Sequence, residues 1–116
     1  MEAVNLQSLS RAIEARDSAA LGSFYTDDAV LLIIDHLNPP HLPREIKGHD
    51  GVRHYFDDIC GRAMTHVVEN GIQDSGRLAF TQTCQYPDGK SVFCSATASL
   101  VGGKIARQVM VQAWDE

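Results

Sequence analysis

Residues 66–114, HVVENGIQDSGRLAFTQTCQYPDGKSVFCSATASLVGGKIARQVMVQAW, decide how this chain folds. β-branched, aromatic and small residues alternate with polar ones through segments near 66–73, 77–86, 91–101 and 104–114. Between these segments stand Asp74-Ser75-Gly76, Pro87-Asp88-Gly89-Lys90 and Gly102-Gly103, which are hairpin signals. Strands joined by such short connections predict a meandering antiparallel sheet. Upstream the period changes to that of a helix. Leu6, Leu9 and Ile13 recur at i, i+3 and i+7, one face of an amphipathic helix over about residues 3–16. Asp17 is placed to cap a short second helix with Leu21, Phe24 and Tyr25 facing inward. Thr26-Asp27-Asp28 reads as a turn, and residues 29–35 as a first strand ending on a carboxylate.

Residues 36–48 carry Pro39, Pro40 and Pro43, which remove donors and block helix, so this stretch reads as an irregular loop. Asp50 suits the N-cap of a third helix. Val52, Tyr55, Phe56, Ile59 and Ala63 then repeat at helical spacing, and Gly61 weakens the last turn. The order α-α-β-α-β-β-β-β, with helices on one face of a curved sheet, is an α+β architecture.

The chain of 116 residues is the size of a single domain, 1–116. Ten basic against fifteen acidic residues leave a net charge of −5, which disfavours a nucleic-acid partner. No apolar run has the length of a membrane span, so no membrane partner is expected. Met1-Glu2-Ala3-Val4-Asn5 lacks the basic-then-apolar pattern of an export signal, so the cytoplasm is the expected compartment. Cys60, Cys84 and Cys94 form no C-x-x-C and read as free thiols packed as small apolar groups.

Four passages carry a family resemblance. Arg16-Asp17 followed by Phe24-Tyr25-Thr26-Asp27-Asp28-Ala29-Val30 looks like a helix-to-strand passage, and Ile46-Lys47-Gly48-His49-Asp50-Gly51-Val52 like an entry to a third helix. His66-Val67-Val68-Glu69-Asn70 resembles a His-x-x-x-Asn strand start, and Gly103-Lys104-Ile105 a turn into a last strand. In this order they resemble the nuclear-transport-factor-2-like superfamily, nearest its SnoaL-like (polyketide cyclase-like) and ketosteroid-isomerase-like branches. The resemblance implies a cone-shaped, cystatin-like roll: a curved antiparallel sheet wrapped around three helices from the N-terminal half. It also implies an apolar cavity and a homodimer through the outer sheet face. That superfamily spans several activities, so fold alone assigns none. The isomerase branch places its base and its two oxyanion-hole groups at positions that fall here on Ile33, Leu9 and Ala96. Steroid isomerisation by that mechanism is therefore rejected.

Leu31, Ile33 and Asp35 share one strand face. A carboxylate among aliphatic side chains has its pKa raised, which suits acid–base work near neutrality. Alternatively Asp35 starts the loop through an Asx turn, or pairs with Arg44 or Lys47. His66 shares a face with Val68, Asn70 and Ile72. An Asp35–His66 pair would move protons, with Tyr55, Phe56, Asn70, Gln82, Gln108, Gln112 and Trp114 binding substrate. The plainer reading of His66 is a histidine that hydrogen-bonds at a strand start.

Placement of the last glutamines depends on the final hairpin. A two-residue loop pairs Leu100 with Ile105 and groups Arg107, Val109 and Val111 with Cys94, Ala96 and Ala98. A three-residue loop with a bulge pairs Leu100 with Lys104 and brings Gln108, Met110, Gln112 and Trp114 to that face. The family resemblance favours the second. Thr81, Thr83, Gln85, Ser95, Thr97 and Ser99, with Phe93, form the opposite face. His36, His41 and His49 match no ligand spacing, so no metal is expected, nor any other cofactor. His54 with Asp57 and Asp58 reads as a solvated helix pairing.

Two functional readings follow. One is a cofactor-independent lyase, isomerase or hydrolase acting on an apolar, oxygen-bearing molecule in the cone. The other is a non-catalytic ligand-binding or dimerisation module, or an accessory subunit, on the same fold.

Overall fold

A computed structural model describes residues 4–115. The first helix, α1, runs Leu6–Glu14 and starts on a capping box. The Asn5 side chain accepts from the Ser8 backbone N–H at 2.8 Å, and Ser8 Oγ lies 3.3 Å from Asn5 N. Its inward face is Leu9, Ala12 and Ile13. Asp17 caps α2, Ser18–Ser23, by accepting from the Ala20 N–H at 3.1 Å. β1 is Tyr25–Ile34, β2 Arg44–Lys47, α3 Gly48–Cys60, β3 Thr65–Gln73, β4 Arg77–Gln85, β5 Ser91–Val101 and β6 Lys104–Trp114.

The six strands make one sheet in the order β2-β1-β6-β5-β4-β3. All neighbours are antiparallel except β1 and β6, which run parallel. The sheet curves over the three helices, an α+β fold. Its concave face carries Leu31 and Ile33 of β1, Leu78 and Phe80 of β4, Ala96 and Ala98 of β5, and Ile105 and Met110 of β6. These pack with Val52, Tyr55 and Phe56 of α3 into the main core. Met64, Cys84, Val92 and Cys94 form a second, smaller cluster.

Several local expectations are corrected. Thr26-Asp27-Asp28 lies inside β1 and is not a free turn. Its polar residues fall where the pairing slips: Tyr25 faces Ile105, while Val30 already faces Arg107. The proline stretch contains a short edge strand, β2, after Pro43, and Ile46 of that strand is buried. Helix α3 begins at Gly48, where φ is +81°, and Lys47 is its N-cap without a side-chain bond. Asp50 instead sits in the first turn, where its charge favours the helix dipole. Ala63 lies beyond the helix end. Asp57 and Asp58 pair with Arg53 at 3.1 Å and Arg62 at 2.8 Å, not with His54.

The last hairpin realises neither predicted loop in full. Gly102 and Gly103, with φ of +58° and +79°, make a two-residue turn that pairs Leu100 with Ile105 and Val101 with Lys104. The pairing then slips, so Ser99 faces Arg107 and Ala106 is the extra residue. That single bulge turns Gln108, Met110, Gln112 and Trp114 to the side of Ala98, Ala96, Cys94 and Val92.

Candidate functional site

A cavity of about 70 Å³ opens between the concave sheet face and the helices. Its walls come from α1 and α2 (Leu9, Ile13, Leu21), α3 (Tyr55, Phe56, Ile59) and the inward residues of β1, β3, β4, β5 and β6. The volume is small. An enclosed space of about 150 Å³ takes one benzene ring, so the enclosed part here holds only a fraction of a ring, and the rest of a ring-sized ligand lies at the open rim. Arg62, Tyr86, Gln112 and Trp114 line it while remaining partly exposed, which marks the rim.

The inner end holds a buried polar pair. Tyr25 Oη donates to Gln108 Oε1, and both residues are within 2% of full burial. Burial pushes the Tyr25 hydroxyl far above its ordinary pKa and nearby Tyr55 adds to this, while the Gln108 bond opposes it. The Tyr25 ring packs 5.5 Å from Phe56, which packs 5.3 Å from Tyr55. Burial likewise raises Tyr55, whose hydroxyl meets Gln112. The Arg44 guanidinium stands over the Tyr55 ring at 5.5 Å.

Nearer the rim, His66 and Cys84 face each other across β3 and β4. His66 Nδ1 lies 2.9 Å from Cys84 Sγ, and Gln82 Oε1 lies 3.5 Å from the same sulfur. Cys94 lies on the neighbouring strand, opposite Gln82. A hydrogen bond from Cys94 pulls the Cys84 thiol well below its usual pKa and outweighs burial, and His66 reinforces it. The same bond, with burial, pushes Cys94 up. At the rim, Arg62 donates to Tyr86 Oη at 3.0 Å and to Asp58 at 2.8 Å, and Trp114 meets the His36 ring at 5.7 Å.

The structure therefore brings together Tyr55, Phe56, His66, Gln82, Gln108, Gln112 and Trp114, and leaves out two predicted residues. Asp35 sits just past the end of β1. Its Oδ1 accepts from the backbone N–H groups of Leu37 and Asn38 and from Asn38 Nδ2, each at 2.9 Å. The carboxyl does not line the cavity, and its pKa is lowered, not raised. Burial pushes that value up, but the three hydrogen bonds and nearby His36 together outweigh it. No Asp35–His66 pair forms. Asn70 takes a left-handed φ of +57° at a register slip between Glu69 and Ile72. Its side chain donates to Thr81 Oγ1 at 2.9 Å, on the outer face. The slip reverses the strand's parity: Ile72 is exposed, while Gln73 reaches α1 by bonding Leu6 N and Val4 O at 3.0 Å each.

Tyr25, Arg62, Cys84, Tyr86 and Cys94 line the site without having been predicted there. Cys84 shares the parity of Gln82, but only the β3–β4 register places it opposite His66. Among the described residues, no group of three His, Cys, Asp or Glu side chains is arranged to hold a metal ion. No helix among them is long and apolar enough to cross a membrane.

The family model described as a SnoaL-like domain matches residues 6–108. The chain belongs to the SnoaL-like family. No curated protein matches it. Among solved structures, an NTF-2 like protein of unknown function from Burkholderia xenovorans is 16% identical, with a TM-score of 0.79 over 96% of this chain and 81% of that one. A protein with a cystatin-like fold from Silicibacter pomeroyi is 12% identical, with a TM-score of 0.74 over 92% of this chain and 72% of that one. A computationally designed 17-OHP binder is 22% identical, with a TM-score of 0.65 over 90% of this chain and 85% of that one. At these identities the likeness shows the fold alone.

Proposed function

We propose that this SnoaL-like chain binds a small, mostly apolar molecule carrying a carbonyl or hydroxyl group in its cone, without metal or nucleotide. One observation carries this reading. An apolar cavity holds a few convergent polar side chains, Gln82, Gln108, Gln112 and His66, each on a strand. A glutamine offers an acceptor and an NH₂ to one oxygen-bearing group. The cavity volume directs the choice towards ligands smaller than a steroid.

The catalytic form of this reading is a lyase, isomerase or hydrolase step in which His66 moves the proton. Asp35 has no part in it, because its carboxylate is engaged by the turn after β1. That same engagement favours the second reading, a non-catalytic binding module or accessory subunit. The outer face, with Val67, Phe93 and Val111 each about half exposed, suits self-association of two copies. The three free thiols suit the reducing cytoplasm.

Cyclohexanone and phenol, followed by ligand-observed NMR, test the binding. Both are expected to bind, and Gln112→Leu is expected to weaken them about tenfold, the effect of one lost hydrogen bond. Equal binding by Gln112→Leu and Gln108→Leu variants that remain folded overturns the assignment. For any substrate then found, undiminished turnover by His66→Gln removes the catalytic reading and leaves the module.

A further inference from the structure

The fold puts a thiol, an imidazole and a second thiol side by side inside a cavity, an arrangement that simple ligand binding does not require. His66 is 8% exposed, Cys84 5% and Cys94 3%, and all three line the cone. The contact is fixed by the sheet, since His66 and Cys84 are direct cross-strand partners with 2.9 Å between Nδ1 and Sγ. No carboxylate lines the cavity among the described residues, and the one cationic side chain on its wall is Arg62. The nearest partial negative charge is the Gln82 Oε1 amide oxygen, which accepts from the Cys84 thiol at 3.5 Å and must turn away as the sulfur loses its proton. On its other side His66 borders a surface groove with Glu14 and Arg16, so the ring is close to both spaces.

We propose that Cys84 is a nucleophile towards small α,β-unsaturated aldehydes and ketones admitted to the cone, with His66 as the acid that completes the addition. Cys84 first gives its thiol proton to His66 Nδ1. The sulfur attacks the β-carbon and a C–S bond forms. The C=C π pair moves towards the carbonyl as an enolate. His66 Nδ1–H then returns the proton to the α-carbon, and the imidazole is neutral again. The net change is addition of S–H across the double bond, with no oxidant, metal or cofactor consumed. Cys94, opposite Gln82 on the neighbouring strand, lines the same wall.

This inference goes beyond the binding reading and needs only that the cone admits a small molecule. The test exposes the whole protein to acrolein, the smallest such aldehyde, and follows each cysteine by peptide mass spectrometry. Half-buried Cys60, which lines the same cone without a histidine partner, is the internal reference. Cys84 is expected to be modified about tenfold faster than Cys60, since a depressed pKa and an adjacent imidazole govern thiol reactivity. His66→Gln, with its melting temperature checked, is expected to slow Cys84 about tenfold by removing the proton relay.

A second measurement needs no variant. The rate of Cys84 alkylation by iodoacetamide should already be level at pH values below about 8.5, where a free thiol is still titrating. The proposal is overturned if Cys60 reacts as fast as Cys84, if folded His66→Gln leaves the Cys84 rate unchanged, or if the alkylation rate keeps climbing through that pH. Cys84→Ser should abolish the fast adduct. Acrolein reacting at Cys84 without cyclohexanone binding sinks only the binding reading.

Discussion

The inner and outer ends of the cone each hold a buried polar pair, and the two pairs behave oppositely. At the inner end Tyr25 and Gln108 are sealed into the main core, and burial drives the tyrosine towards its neutral form. Nearer the rim His66 and Cys84 lie beside the smaller cluster, and hydrogen-bond donors draw the thiol towards its anion. Both pairs join neighbouring strands. The difference lies in what surrounds them: aliphatic and aromatic walls at one end, a second thiol and an imidazole at the other. Burial alone therefore does not set the chemistry of a polar group here. The partner that reaches it does.

That contrast can be broken by substitution. The largest effect is expected from Gln108→Leu, which leaves the Tyr25 hydroxyl buried without an acceptor and should cost about 2 kcal/mol in urea unfolding. Adding Tyr25→Phe should recover much of that loss, because both polar partners are then gone. A double variant weaker than the single one by a further full step would show that the pair is not coupled. At the rim, Cys84→Ser should cost only about 1 kcal/mol, since the change is small and the cluster is small.

Alkaline pH gives a graded test of the inner end. Tyr25 and Tyr55 have folded-state pKa values above their unfolded values, so the native state holds more protons as pH rises. Their contribution is complete below the unfolded value of about 10 and is lost progressively above it. Urea midpoints should therefore fall as pH climbs past that point, and Tyr25→Phe should flatten the fall. An unchanged slope in Tyr25→Phe contradicts the sealed environment. The smallest effect is expected from Asp35→Ala, about 0.5–1 kcal/mol for the lost turn hydrogen bonds, with cyclohexanone binding unaltered. A loss of binding there would return Asp35 to the cavity chemistry.

Most of the frame was legible from residue pattern. The last four strands end within one residue of the expected segments, because turn chemistry at Asp74-Ser75-Gly76, Pro87–Lys90 and Gly102-Gly103 is local. The three helices follow their apolar spacing through Ile13, Leu21 and Ile59, but Phe24, Tyr25 and Ala63 lie beyond the helix ends, Tyr25 opening β1. What failed depended on long-range pairing. Edge strand β2 is only four residues long and follows Pro43, too short to show a period. Parity placed Asn70 and Asp35 in the cone, yet parity holds only while the ladder is regular. Asn70 sits at a slip and Asp35 lies one residue past β1. The slip at Ala106 acted in the other direction and delivered Gln108 and Gln112 to the interior by a device no local signal announces. Nothing local distinguishes Cys84 from a packed thiol, because its meaning comes from His66, eighteen residues away along the chain.

The parallel pairing of β1 with β6 ties the opening strand to the closing one. Until residues near 105–111 exist and have docked, the backbone of Leu31 and Ile33 is paired on one edge only, by the four-residue β2. During synthesis the first half of the chain must therefore wait, greasy and unfinished, for β6 to leave the ribosome. Such distant closure slows folding and leaves a window in which nascent chains stick to one another. Deleting part of β6 should therefore lower soluble yield far more than it removes native contacts.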